Sequence, residues 1–197
     1  ILPPVVASVI DLSFIPLLAV NLALPLLHAR NIRNFVFLGL LTMFFVANAY
    51  MHAVNAGLVF DIQALPVSYA VVFIVLAVIS LVGSRVIPAF TVAGLRARGH
   101  ILYQTDQRKL DVAGVLAVLL TAVSLFWLGA DSPIVSVCSL TAAILHAVRM
   151  RYWHTVKSMC EPMVWILQVG HGWLVVGLAA LGLTGLGIID HASSLGL

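Results

Sequence analysis

The chain has 197 residues, of which 62% are hydrophobic and 9% charged, and its formal net charge is +3. Soluble domains carry about 25% charged residues, so this composition excludes an ordinary soluble protein and predicts an integral membrane protein. Six helices of about 20 residues with short connections fill the length, which leaves no room for a separate soluble domain.

Six apolar stretches follow one another along the chain, each long enough to cross a bilayer as a helix. The first stretch lacks the basic region of a signal peptide, so it counts as a span. The predicted fold is an all-α, polytopic membrane bundle of six transmembrane helices, with residues 1–197 as one domain. The expected spans are Val5–Leu27, Asn34–Phe60, Pro66–Phe90, Asp111–Leu128, Pro133–Ala147 and Pro162–Gly187.

The connections between these spans alternate in charge. Apart from Arg85, every Lys and Arg lies in or beside the first, third or fifth connection, whereas the opposite side offers only Asp61, Asp131 and Asp190. Loops rich in Lys and Arg stay in the cytoplasm, so we expect both ends of the chain on the outer side. This topology explains the net positive charge without a nucleic acid partner.

The third span contains an arginine followed closely by a proline, in the stretch ISLVGSRVIPAFT. Arg85 lies deep in the apolar run, where a cation costs at least about 2.5 kcal/mol and usually faces the bundle interior or an anionic partner. Pro88 removes the donor that the carbonyl of Ser84 would use, so we expect a broken, polar-lined helix end. Arg85 is therefore a candidate site residue, although reaching to lipid phosphates at the interface is an alternative role.

Histidines inside the spans are the other candidates. Asn48, His52 and Asn55 share one face of the second helix, and Asp11 lies at a depth where it would pair with His52. In the sixth helix Gln168 and His171 are expected to face inward together, and His191 follows that helix at the outer surface. Imidazole suits haem iron and copper in a helical bundle, although each histidine also has a structural interpretation.

Other polar and aromatic residues favour structural roles. His146 and Arg149 lie near the cytoplasmic end of the fifth helix, where a structural or interfacial role is expected for His146. The two cysteines, Cys138 and Cys160, fall on different levels of the membrane, so we expect no disulfide. The aromatic residues near the predicted interfaces are expected to be belt anchors: Trp127, Tyr152, Trp153 and Trp165.

The stretch GSRVIPAFT resembles the signature of the NnrS family of multi-pass membrane proteins. The segments RNIRNFVFLGLL and RYWHTVKSMCEPMVWIL fit the same resemblance, which covers nearly the whole chain. Family members are about twice as long, with about twelve spans, so this chain resembles a central portion of a longer bundle. Relatives often carry His where this chain has Gln168 and Tyr where it has His171, which places the ligand assignment in question.

The resemblance implies a haem and copper protein of the bacterial inner membrane that binds or metabolises nitric oxide and is linked to denitrification and nitrosative stress. It implies axial haem ligation by His52 with His171 or His191, and a propionate or anion partner in Arg85. The sequence has no nucleophile beside a base, no phosphate-binding loop and no pair of carboxylates, so nothing in it indicates hydrolysis. The sequence is compatible with a homo-oligomer and with a hetero-oligomer.

Two other functions compete with this one. Six spans with an interrupted third helix also fit one half of a secondary transporter, with Arg85 and Asp11 as substrate or proton groups. The short, acidic external link between the second and third spans lacks the basic cytoplasmic motif of the major facilitator group. A non-catalytic assembly or sensing subunit is the third interpretation.

Overall fold

A computed structural model describes residues 3–28, 34–59, 64–100 and 106–189, and within them all regular structure is helical. Six helices are long and apolar enough to cross a membrane, which confirms the predicted number. Large apolar side chains such as Phe14, Leu120 and Ile144 are exposed on the outside of the helices, as a bilayer requires. The helices are α1 Pro4–His28, α2 Phe35–Asn55, α3 Ala64–Ala97, α4 Arg108–Leu128, α5 Pro133–Tyr152, α6 Thr155–Ser158 and α7 Pro162–Gly185.

The chain divides into two compact units, Ile1–Ile74 and Val75–Leu197. In the first unit α1 packs against α2. In the second unit α5 is central, because it packs against both α4 and α7, and the short α6 lies against α7. The later half of α3 approaches α7 closely at Gly83 and Gly94.

Close approach of α5 and α7 depends on two glycines near the end of α7. A Cβ added at Gly182 would lie 2.5 Å from Leu140 Cγ and 3.0 Å from the carbonyl oxygen of Ser136. At Gly185 an added Cβ would lie 2.8 Å from the carbonyl oxygen of Ala130. Small residues allow membrane helices to pack backbone to backbone, and these two do so.

The predicted break in the third helix is wrong. Pro88 lies inside α3, which continues to Ala97. The hydroxyl of Ser84 donates to the carbonyl oxygen of Leu81 at 2.7 Å, and that of Thr91 donates to the carbonyl oxygen of Ile87 at 2.8 Å. Proline is tolerated within membrane helices when neighbouring groups compensate for the lost backbone bond, so Pro88 does not end the helix.

Two other helix ends differ from the sequence prediction, and one short helix was not predicted. Helix α2 ends at Asn55, before Gly57 with its positive φ of 70°. Helix α5 continues past Ala147 to Tyr152, because Arg and Met are good helix formers even where hydropathy falls. The chain then reverses at His154, whose φ of 55° is left-handed, and enters α6, which the sequence pattern did not predict.

Candidate functional site

The first unit brings together three of the polar side chains predicted to face one another. Oδ2 of Asp11 on α1 accepts hydrogen bonds from Nδ2 of Asn48 at 2.7 Å and from Nε2 of His52 at 2.8 Å, both on α2. The predicted pairing of Asp11 with His52 is confirmed. Asn48 and His52 are four residues apart, so the helix stacks them on one face toward the carboxylate.

The hydrogen-bond direction defines which nitrogen of His52 is available. An ionised carboxylate only accepts, so Nε2 of His52 carries the proton that it donates to Asp11. The neutral ring then presents a lone pair on Nδ1. Metal-ligating histidines commonly donate their other ring N–H to a carboxylate, which orients the ring and raises its basicity. The Asp11–His52 pair has this arrangement.

This pair is exposed although it lies within apolar spans. The side chain of Asp11 is 57% exposed and that of His52 24% exposed. Ionisable groups inside membrane helices almost always face a cavity, a partner or a bound group, because hydrocarbon does not solvate them. A polar surface at this depth therefore requires something to cover it.

The second unit contains a buried polar cluster around Arg149 of α5, which is fully buried. Its Nη2 lies 3.2 Å from Oδ1 of Asp111 on α4, and its Nη1 donates to Oγ of Ser80 on α3 at 3.0 Å. The guanidinium also lies 5.4 Å from the centre of the Trp153 ring. Gly114 makes room for it, since an added Cβ there would lie 2.8 Å from Nη1.

Arg149 sets the protonation pattern of two neighbouring histidines. Its Nη1 lies 3.0 Å from Nδ1 of His146, and because a guanidinium only donates, Nδ1 accepts. Nε2 of His171 lies 3.3 Å from the same Nδ1 and must therefore donate to it. Nδ1 of His171 is left with a buried lone pair and, within the described residues, no hydrogen-bond partner.

The space around His171 restricts what its free nitrogen can bind. The ring is 3% exposed and packs against Trp153, with 4.8 Å between ring centres. A Cβ added at Gly83 would lie 3.2 Å from Nδ1. This packing against Gly83 and Trp153 leaves no room for a macrocycle beside Nδ1.

Gln168 has a structural role beside His171. Its Nε2 donates to Oγ1 of Thr91 at 3.2 Å and to the carbonyl oxygen of Trp153 at 3.3 Å. Its Oε1 accepts from Oγ1 of Thr155 at 2.6 Å. The prediction that Gln168 and His171 face inward together is confirmed, and the amide of Gln168 ties α7 to α3 and to the end of α5.

His146 is fully buried in the cluster, which fits the structural role expected for it and not the interfacial one. One sequence prediction in this region is wrong. Trp153 is 2% exposed and is no belt anchor, since it packs between Arg149 and His171. The signal in the sequence was the spacing of His146, Arg149 and Trp153, at i, i+3 and i+7, which places them on one helix face.

Two further predicted site residues remain. Arg85 is half-buried on α3. His191 lies outside the described residues. Among the residues that the structure covers, no group of three or more His, Cys, Asp or Glu side chains is placed to hold a metal ion. Any metal here is held by fewer such ligands from the described part of the chain.

Comparison with known proteins gives one match. A family model described as NnrS protein matches residues 1–197, the whole chain. No significant match to a curated protein or to a solved structure is found.

Proposed function

We propose, from the premise that the chain belongs to the NnrS family, that it is a haem and copper protein of the bacterial inner membrane that binds or handles nitric oxide. Such a role fits protection against nitrosative stress and a link to denitrification. The chemistry is metal ligation, with binding of a small diatomic ligand or electron transfer as its outcome.

The Asp11–His52 pair is the observation that carries this proposal. It combines an imidazole oriented by a carboxylate through Nε2 with partial exposure within two candidate membrane spans. A buried structural histidine would instead have both nitrogens satisfied and its carboxylate covered. The pair fits a metal or a haem iron as the group that covers it.

The residues of this chain hold and orient such a group. His52 would bind the metal through Nδ1, Asp11 fixes the ring through Nε2, and Asn48 holds the carboxylate in place through its second hydrogen bond. When bound, haem iron or copper supplies the centre at which nitric oxide binds or electrons are exchanged.

The other candidates keep distinct proposed roles. At Nδ1 of His171 copper is proposed instead of haem, because the packing of the ring against Gly83 and Trp153 leaves no room for a macrocycle. His191 stays the predicted second haem ligand, and Arg85 the predicted partner of a propionate or another anion.

The test is the visible spectrum and metal content of detergent-purified protein. We expect His52→Ala to weaken the Soret band, and Asp11→Asn to lower metal or haem affinity by about 10–100-fold, as loss of a carboxylate behind a ligand does. His100→Ala is the matched control, because His100 is exposed and lies outside both clusters. A folded wild-type protein with no visible bands, or equal bands in all variants, contradicts the role of His52.

The structure bears differently on the two competing functions, the transporter half and the assembly or sensing subunit. A transporter half relied on an interrupted third helix, and α3 runs without interruption from Ala64 to Ala97. An assembly or sensing subunit without cofactor is the outcome that a featureless spectrum would favour.

A further inference from the structure

Two adjoining cavities lie where the end of α5, α6 and the start of α7 meet. The first cavity has a volume of about 320 Å³ and is mostly apolar. Its walls include Met150, Met159, Trp165, Gly172, Trp173 and Val176. Gly172 forms part of its floor: an added Cβ there would have only Met150 Cε nearby, at 3.8 Å. The groove is therefore open to a long apolar chain.

The second cavity is basic. It has a volume of about 400 Å³ and is lined by Arg151, His154 and Lys157. The left-handed turn at His154 lets the last turn of α5 and the residues of α6 line the same space. Met150 and Thr155 line both cavities, so they form one continuous groove with a basic end and an apolar end.

The charge of the basic end is unbalanced. Among the residues that the structure describes, no Asp or Glu lines either cavity. Arg151 and Lys157 are exposed and take part in none of the ion pairs found among the described residues. An anion of matching size is the ligand that complements such a site.

The position of the groove points to a lipid as the source of that anion. The basic end lies at the end of membrane span α5, where headgroups lie, and the apolar end continues along span α7. Basic pockets between membrane helices on the cytoplasmic side bind the headgroups of anionic lipids. A soluble anion would use the basic end but would leave the apolar groove empty.

We propose that this groove binds an anionic phospholipid. Its phosphate lies between Arg151, His154 and Lys157, and one acyl chain follows the groove over Gly172 between Trp165 and Trp173. The site is independent of the metal chemistry proposed above.

The experiment measures lipid retention and thermal stability of the purified chain with added phosphatidylglycerol or phosphatidylcholine. We expect native mass spectrometry to show at least about tenfold stronger retention of phosphatidylglycerol, a difference carried by charge-assisted hydrogen bonds. Arg151→Gln with Lys157→Gln should abolish this preference. Arg108→Gln with Lys109→Gln is the control, because it removes equal charge from exposed residues of the same predicted side that do not line the groove.

Two further arms separate the possible occupants. Gly172→Leu fills the apolar groove and should weaken phosphatidylglycerol retention while leaving the basic residues intact. Inorganic phosphate alone should not raise the melting temperature. Equal loss in both double variants, retention unaffected by Gly172→Leu, or full stabilisation by inorganic phosphate overturns the proposal. So does equal retention of phosphatidylcholine, which would indicate an apolar surface for any lipid or for another helix.

Discussion

Arg149 is a buried cation whose charge and donors are nearly all matched. Its guanidinium contacts the carboxylate of Asp111, the hydroxyl and carbonyl of Ser80, a ring nitrogen of His146 and the face of Trp153. Within the described residues only its Nε has no hydrogen-bond partner. Removing one member of a buried ion pair leaves the other uncompensated, which is more costly than the net contribution of the pair.

Replacing Arg149 by Ala should therefore destabilise the second unit by about 3–5 kcal/mol, because Asp111 would lose its main charged partner. The free energy of unfolding in mixed micelles measures this effect. Arg98→Ala is the control, since its exposed pair with Glu161 at 2.8 Å should contribute at most about 1 kcal/mol. Equal losses for the two variants would contradict the central position of Arg149.

Gly83→Ala tests the free nitrogen of His171. The added Cβ would lie 3.2 Å from Nδ1 and would crowd the nitrogen at which copper is proposed to bind. We expect less bound copper per chain, measured by elemental analysis, while the haem spectrum assigned to His52 stays unchanged. Gly39→Ala, which meets nothing within 4 Å, is the control. Unchanged copper content in Gly83→Ala would remove His171 as its ligand.

At the scale of single residues, the sequence predicted the Asp11–His52 pair but not the Arg149 cluster. Asp11 and His52 are conspicuous because each interrupts an apolar run at a similar depth. Arg149 follows the apolar part of α5 and precedes further basic residues, so hydropathy assigned it to the interface. Only the packing of α4 against α5 brings the partly exposed Asp111 beside the fully buried Arg149.

At the scale of helices, the contact of α5 with α7 depends on the absence of side chains at the end of α7. We expect Gly182→Ala to destabilise the protein by about 1–3 kcal/mol, because its Cβ would overlap Leu140 and the helices would have to separate. Gly177→Ala on the same helix meets nothing within 4 Å and should have little effect. Thermal unfolding in detergent compares the two, and similar midpoints would contradict close packing at Gly182.

Helix number was predictable from the sequence, whereas helix ends and continuity were not. Runs of apolar residues indicate the part of a helix that meets lipid, and six such runs gave six spans. They do not indicate how far a helix continues into water, which is why α3 and α5 extend beyond the predicted ends. The predicted helix break at Pro88 is wrong for a related reason. Within a membrane bundle, neighbouring groups can compensate for the backbone hydrogen bond that a proline removes.

At the scale of the whole molecule, the predicted topology places the loop between α6 and α7 in the cytoplasm. Cys160 is exposed in this loop, and Cys138 lies within α5; both are free. In a Cys138→Ala background, an impermeant maleimide should label Cys160 in inside-out vesicles and not in intact cells. In a variant that also carries Cys160→Ala, Asp131→Cys should show the opposite pattern. Labelling of Cys160 from outside would invert the topology.

The length of α3 has a consequence for how the protein meets its bilayer. Its candidate span, Val67–Ala97, has 31 residues and is about 46 Å long, against a hydrocarbon thickness of about 30 Å. Even a tilt of about 40° leaves it spanning about 35 Å, so part of α3 stands outside the hydrocarbon. Near its end, Arg98 binds Glu161, which directly precedes α7. Bilayer thickness therefore determines how far the Arg98–Glu161 ion pair lies from the hydrocarbon. Lipids with shorter acyl chains would increase that distance.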